Sequence, residues 1–346
     1  MSERGETREA RGEGTESAGP AALHAGARPV TRDPRPASSP AQRAWRRFRQ
    51  NRLALAGGLF LLALAPLILL WPLFEQPAVA PYLLKAMTWS PTTLSDAQFQ
   101  PPDAGHWFGT DVHGRDLLSR VFYGARISLL IGAVGAAISL LIGVFWGAMA
   151  GYAGGRMDSL FMRVVDVLYS LPNIIFVIVL IATFESRVKA WLAVHQVHLS
   201  ARLLLLFAGL GAISWLTMAR IVRGQVLFLR GRPFVEAIRA LGASHARILL
   251  RHILPNVYGV VITYLTLTVP SILLYESFLS YLGLGIQPPQ ASLGSLIAEG
   301  AAQINPIRVY WWMIVFPGLM LTSALLALNF LGDGLRDAWD PRSKSE

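Results

Sequence analysis

The chain has 346 residues, 53% of them hydrophobic and 15% charged, with a formal net charge of +10. Soluble domains carry about 25% charged residues, so water is excluded as the main solvent, and the absence of cysteine excludes disulfides and thiolate metal sites. The apolar residues fall in long blocks, and the mean hydropathy is +0.44.

Residues 1–43 read as a disordered cytoplasmic tail. Ser2–Pro40 is mostly Gly, Ala, Pro, Glu and Arg and cannot bury enough apolar surface to fold. Glu3, Glu6, Glu9, Glu13 and Glu16 argue against an organellar transit peptide. Residues 44–75 read as a basic anchor plus the first span. Arg46, Arg47, Arg49 and Arg52 precede it, and Trp45 and Phe48 are expected at headgroup depth. The apolar block is too long and begins too late for a cleaved signal peptide.

A bilayer span needs about 20 mainly apolar residues. Six stretches qualify: Leu53–Phe74, Ile127–Ala150, Val164–Phe184, Leu203–Val222, Val257–Leu282 and Tyr310–Leu331. With the N-terminus inside, 23 of the 31 Lys and Arg fall on the inner side, which places both termini in the cytoplasm. The excess narrows to 12 against 8 without the tail. The basic balance therefore reads as topology and attraction to an anionic leaflet. Nucleic acid is not an expected partner, because no aromatic-interleaved basic patch is present.

Residues 76–125 form an expected external segment, whose later part, residues 106–129, ends as an amphipathic helix entering the membrane. Asp111, His113 and Asp116 suggest a metal site at first sight. Turn chemistry accounts for them better: Gly109 and Gly114 break the chain, and Asp111 or Asp116 caps a helix. Residues 126–332 then read as a core of five spans. In its first helix Gly143, Gly147 and Gly151 recur every fourth position, which lets a second helix approach closely.

Ionisable groups within the spans are few. Asp166 opens the third span, just before Asn173 and Pro172, which is expected to kink its helix or start it, and Glu276 lies in the fifth. Facing lipid they would cost several kcal/mol, so each is expected against protein or water. Asp166, Asn173, Glu276 and Asn329 are read as pathway or interhelical positions.

The most informative segment is the basic loop at 230–256. Phe234, Ile238 and Leu241 fall at i, i+4 and i+7 with Ala237 beside them, an apolar stripe on a short helix. Arg232, Glu236 and Arg239 are spaced to pair along its side. Gly242 ends it, Ser244 caps a second helix through Leu254, and Pro255 precedes the return to the membrane. A helix docking into a soluble partner's groove and a helix lying on the inner leaflet share this pattern.

Glu236-Ala237-x4-Gly242 followed by Leu254-Pro255 resembles the EAA loop of binding-protein-dependent ABC importer permeases. The resemblance implies that this loop is the coupling helix seated in a cytoplasmic ATPase. It extends to Phe108-Gly-Thr-Asp111-x2-Gly114-Arg-Asp116, to Leu282-Gly-Leu-Gly285, and to Asn329-x2-Gly332-Asp333-x2-Arg336-Asp337-x2-Asp340-Pro341. These motifs are similar to the dipeptide, oligopeptide and nickel branch, and to its C-type subunit. Departures are Ile238 for a second Ala, His252 for Ile, and Leu293 where Ser-Trp-Gly is common. The implied architecture is an all-α polytopic membrane protein of about six transmembrane helices with the type I ABC importer permease fold.

No G-x4-G-K-[ST] phosphate loop, HExxH motif or nucleophile elbow occurs, so no catalytic, metal or cofactor residue is expected on this chain. Energy must enter from elsewhere. The resemblance implies a homologous second permease, two cytoplasmic ATPases holding ATP and Mg, and an extracytoplasmic binding protein that delivers a dipeptide or oligopeptide. Nickel or another small solute remains open. An ion-coupled carrier would show inverted-repeat halves and more intramembrane carboxylates. An intramembrane hydrolase would need a nucleophile or metal pair. Residues 333–346 read as a cytoplasmic tail of this multi-pass protein.

Overall fold

The computed structural model describes residues 40–74, 89–197 and 199–339. Expectations for the N-terminal tail and for Asp340-Pro341 lie outside the described residues, as does part of the external segment. The described residues are helical without a named strand: α1 (Pro40–Phe48), α2 (Arg52–Phe74), α3 (Leu117–Ala153), α4 (Gly155–Tyr169), α5 (Asn173–Val194), α6 (Ala201–Arg230), α7 (Pro233–Ala240), α8 (His245–Ile248), α9 (Leu254–Tyr281), α10 (Leu293–Ala302) and α11 (Trp312–Trp339). Five runs are individually long and apolar enough to cross a bilayer: α2, α3, α6, α11 and the stretch His245–Tyr281. A sixth crossing requires α4 and α5 together.

Side-chain neighbours fix the helix directions. Gly143, Gly147 and Gly151 of α3 rest in turn on Met218, Val222 and Val226 of α6, so these two helices run parallel. In α5 and α6, Val177 meets Gly209 and Glu185 pairs with Arg202, an antiparallel arrangement. Antiparallel contact also joins α3 to α9 through Ser128–Glu276 and Gly132–Val269. The same holds for α9 and α11 through Gly259–Trp339 and Gly332–Leu267, and for α2 and α11 through Gly57–Ala327 and Ala54–Gly334. The start of α2, the end of α11 and the 231–253 loop therefore share one end of the bundle. The segment 89–116 and α10 share the other.

The α3–α6 seam depends on missing side chains. A Cβ on Gly147 would stand 2.4 Å from the Ala219 carbonyl oxygen, and one on Gly143 would stand 2.6 Å from the Met218 Cβ. Small residues are what permit such approach in a bilayer, where packing drives association. Gly147→Leu is expected to force the two helices apart at a cost of about 1–3 kcal/mol. The check is the monodisperse fraction after detergent extraction, which should fall; Gly224→Leu, where a Cβ meets nothing within 4 Å, should leave it unchanged.

Two span boundaries differ from expectation. The stretch Val164–Phe184 is not one helix: α4 stops at Tyr169, and α5 starts at Asn173 after a bend of 79°. Pro172 stands at the N-cap of α5; proline fixes φ and holds the preceding residue out of the helical region, so it starts the span. At the other end, α11 continues to Trp339, so residues 333–339 are helix where a tail was expected. Gly334 there packs against Ala54 and Phe48. Phe48 accordingly rests on α11, with the exposed Trp45 stacked over it.

Candidate functional site

The 231–253 loop leaves α6 at Gly231 and forms α7, with Pro233 at its first turn and Glu236 favourably placed near its N-terminus. Gly242 adopts φ +82, and a Cβ there would meet nothing within 4 Å. The left-handed backbone, a position suited to glycine, turns the chain toward Ser244. The Ser244 hydroxyl accepts the Arg247 N–H and caps α8. This second helix does not end at Leu254 as expected. It passes through a π turn, Leu249–Ile253, directly into α9, so that His245–Tyr281 is continuous. Pro255 has no N–H and its ring crowds the carbonyl four residues back. The wider turn, in which the Leu254 N–H bonds the Leu249 carbonyl, accommodates it. Asn256 Nδ2 also donates to the His252 carbonyl at 2.6 Å.

The expected apolar stripe on α7 is split. Val235 is fully buried and Ile238 packs beside it, in a cluster with Val222 and Val226 of α6, Ile248, Ile253 and Val257. Phe234, Ala237 and Leu241 face outward, with Leu241 87% exposed. Glu236 and Arg239 are exposed too, and among the described residues no ion pair joins them to each other or to Arg232. Arg232 instead lies over the Phe228 ring, 4.0 Å from its centroid. Tyr152 Oη, at the end of α3, lies 2.8 Å from His245 Nδ1. The loop thus presents one apolar and charged face outward and fastens its other face to α3, α6 and α9. Displacing α7 must move that cluster, because packed interiors shift as units.

The opposite end holds a buried charge cluster. Asp111 accepts the backbone N–H of His113 and Arg115, Arg115 Nε at 2.6 Å and Arg120 Nη1 at 2.5 Å. Arg120 also forks onto Glu299 at 2.7 and 3.0 Å. Two arginines thus balance two carboxylates, and α10 is tied to the 89–116 segment and α3. Asp116 caps α3 by accepting the Ser119 N–H, and its other oxygen lies 2.9 Å from His106 Nδ1. Burial raises the Asp116 pKa above the ordinary carboxylate value, an effect partly offset by the Ser119 and His106 hydrogen bonds. Asp111 and Asp116 are each engaged in this way, and no metal-holding group of three ligands occurs among the described residues.

The four polar span positions are not brought together. Asp166 is exposed and pairs with Arg220 at 2.7 Å. Asn173 lines a crevice with Ser214 and Tyr275 between α5, α6 and α9. Glu276 is fully buried, accepting from Ser128 at 3.1 Å and Ser280 at 2.7 Å. Asn329 is exposed on α11. Leu293 is fully buried at the start of α10, its N–H donated to Ser128 Oγ.

The family model described as binding-protein-dependent transport system inner membrane component matches residues 143–345. The model for the N-terminal TM domain of oligopeptide transport permease C matches residues 39–102. The dipeptide transport system permease protein DppC of Bacillus subtilis is 42% identical, over 89% of this chain and 88% of its own. The oligopeptide transport system permease proteins OppC of Haemophilus influenzae and Escherichia coli are each 42% identical over 88% of this chain, covering 89% and 91% of theirs.

Proposed function

The chain belongs to the family of binding-protein-dependent transport system inner membrane components, and from that premise we propose that it is the C-type permease subunit of an ATP-driven importer of dipeptides or oligopeptides. The observation that carries this reading is 42% identity, over nearly the full length of both chains, to permeases named for dipeptide and oligopeptide transport. The chain forms half of the solute pathway, a homologous permease the other half. An external binding protein delivers the peptide, and two cytoplasmic ATPases supply the work. The 231–253 loop lies in the cytoplasm with both termini, as the distribution of Arg and Lys supports.

Within this reading the coupling surface is Phe234, Glu236, Ala237, Arg239 and Leu241, presented by the turn at Gly242. Ile238 joins Val235 as its anchor to the bundle, and Leu254 and Pro255 begin the helix that carries the motion inward. Closure of the ATPase pair on ATP pushes α7. The cluster of Val235, Ile248 and Ile253 passes the displacement to α3, α6 and α9, and the pathway opens to the other side. Asn173 in its crevice is the polar position best placed to meet the solute.

The test is uptake of a labelled tripeptide into vesicles. The full set of subunits with ATP inside is expected to accumulate it, and this chain alone under a proton or sodium gradient is not. Gradient-driven uptake by the lone chain would support a secondary carrier. Uptake of nickel with indifference to peptide would move the reading to the nickel branch.

A further inference from the structure

We propose that α4 is an interfacial helix that binds anionic phospholipid headgroups at the membrane face from which the 231–253 loop emerges. Three observations carry the proposal. First, α4 lies at a boundary. Asp158 pairs with Arg223, the second contact being 2.7 Å, and Asp166 with Arg220 at 2.7 Å. Between Arg202 and Arg220, α6 has no charged residue, a run of about 25 Å at helical rise, close to the hydrocarbon thickness. The ion pairs hold α4 where α6 leaves that apolar layer.

Second, α4 is turned 79° from α5, so with α5 crossing the bilayer α4 lies near its plane. Third, its two sides differ. Met162 and Val165 are buried against Trp215, Leu216 and Ala219. Met157, Leu160, Val164 and Val167, at i, i+3, i+7 and i+10, form an exposed stripe on another side, each between 39% and 59% exposed. Arg156 and Arg163, seven residues apart, border one edge of that stripe, exposed and without an ion pair among the described residues. An apolar stripe bordered by arginines is the pattern of a helix seated at the headgroup boundary, its cations reaching for phosphates. A protein partner would leave both arginines needing carboxylates, whereas an anionic leaflet supplies negative charge along the whole edge. Because α4 braces α6 at Arg220 and Arg223, the headgroups it holds also steady the helix that carries the loop.

The chain has no native cysteine, so Leu160→Cys can be labelled with a bimane fluorophore before assembly. The assembled transporter is then placed in vesicles of phosphatidylcholine with phosphatidylglycerol. Quenching by lipids carrying a nitroxide near the carbonyls, with little quenching by aqueous iodide, is the expected result. Full quenching by iodide would overturn the proposal. So would lipid quenching that is present in the lone chain and lost on assembly, since a protein partner would then cover the stripe. In the second arm, Arg156→Gln with Arg163→Gln is expected to lower the ratio of phosphatidylglycerol to phosphatidylcholine retained by the purified complex roughly tenfold. An unchanged ratio would contradict headgroup binding.

Discussion

Glu236→Arg and Gly242→Asp are each expected to abolish peptide uptake while the chain still inserts and assembles with its fellow permease. Glu236 is exposed at the first turn of α7 and makes no ion pair among the described residues, so reversing its charge breaks no pair that holds the fold. A charge reversed within a docked surface is worth 2–5 kcal/mol or more, enough to reduce uptake at least about thirtyfold. The Gly242 case separates strain from docking. An L-residue at φ +82 costs about 1–2 kcal/mol, and an added Cβ there meets nothing within 4 Å, so that cost is backbone strain and not a clash. Gly242→Asn tolerates this backbone best among the alternatives, so it should retain more uptake than Gly242→Val. Membrane yield, co-purification with the ATPases and initial uptake rate measure the three consequences. Full uptake and ATPase association in both primary variants would remove the loop from the mechanism.

The second large effect concerns stability at the other end. Asp111→Ala removes an acceptor shared by four N–H groups and leaves Arg115 and Arg120 buried with only Glu299 between them. Breaking a buried charge set by deleting one member costs about 3–5 kcal/mol. The fraction surviving as a monodisperse peak after a heat step should collapse. Asp111→Asn keeps an oxygen for the backbone donors and should lose less. Adding Arg120→Met to Asp111→Ala should cost less than the two single losses summed, because it withdraws the charge left unpaired. Strict additivity would mean that the four groups do not act as one cluster.

The contrast between these two ends explains what the sequence could disclose. The long spans were legible because twenty apolar residues in a row have few other uses, and Gly143, Gly147 and Gly151 announced the face that meets α6. A cap by Asp111 or Asp116 was legible from their place before an apolar run, and the start of α3 at Leu117 gives it to Asp116. The break at Pro172 was legible in the residue itself as a kink or a helix start, and the apolar run continuing across it left that choice open; α5 beginning at Asn173 decides it. The orientation of α7 was not legible. Phe234, Val235, Ala237 and Ile238 of the eight-residue helix and Leu241 at its C-cap spread over about 160° of its circumference at 3.6 residues per turn, wider than so short a helix buries, so periodicity could not say which of them would turn inward; the position of Val222, Val226 and Ile253 decides it. Arg120 and Glu299 lie 179 residues apart. No local pattern joins them, and only the folding of α10 back onto α3 brings them into contact.

The account rests on α7 being held by a nucleotide-hydrolysing partner in the cytoplasm. Ala237 is exposed on that helix and, as a cysteine in an otherwise cysteine-free chain, can carry a photo-activated crosslinker as the sole labelled site of this subunit. In the assembled transporter it should capture an ATPase subunit, with a yield that changes when ATP is added. Capture of phospholipid alone, or labelling of that cysteine in intact cells by a reagent that cannot cross the membrane, would contradict the account.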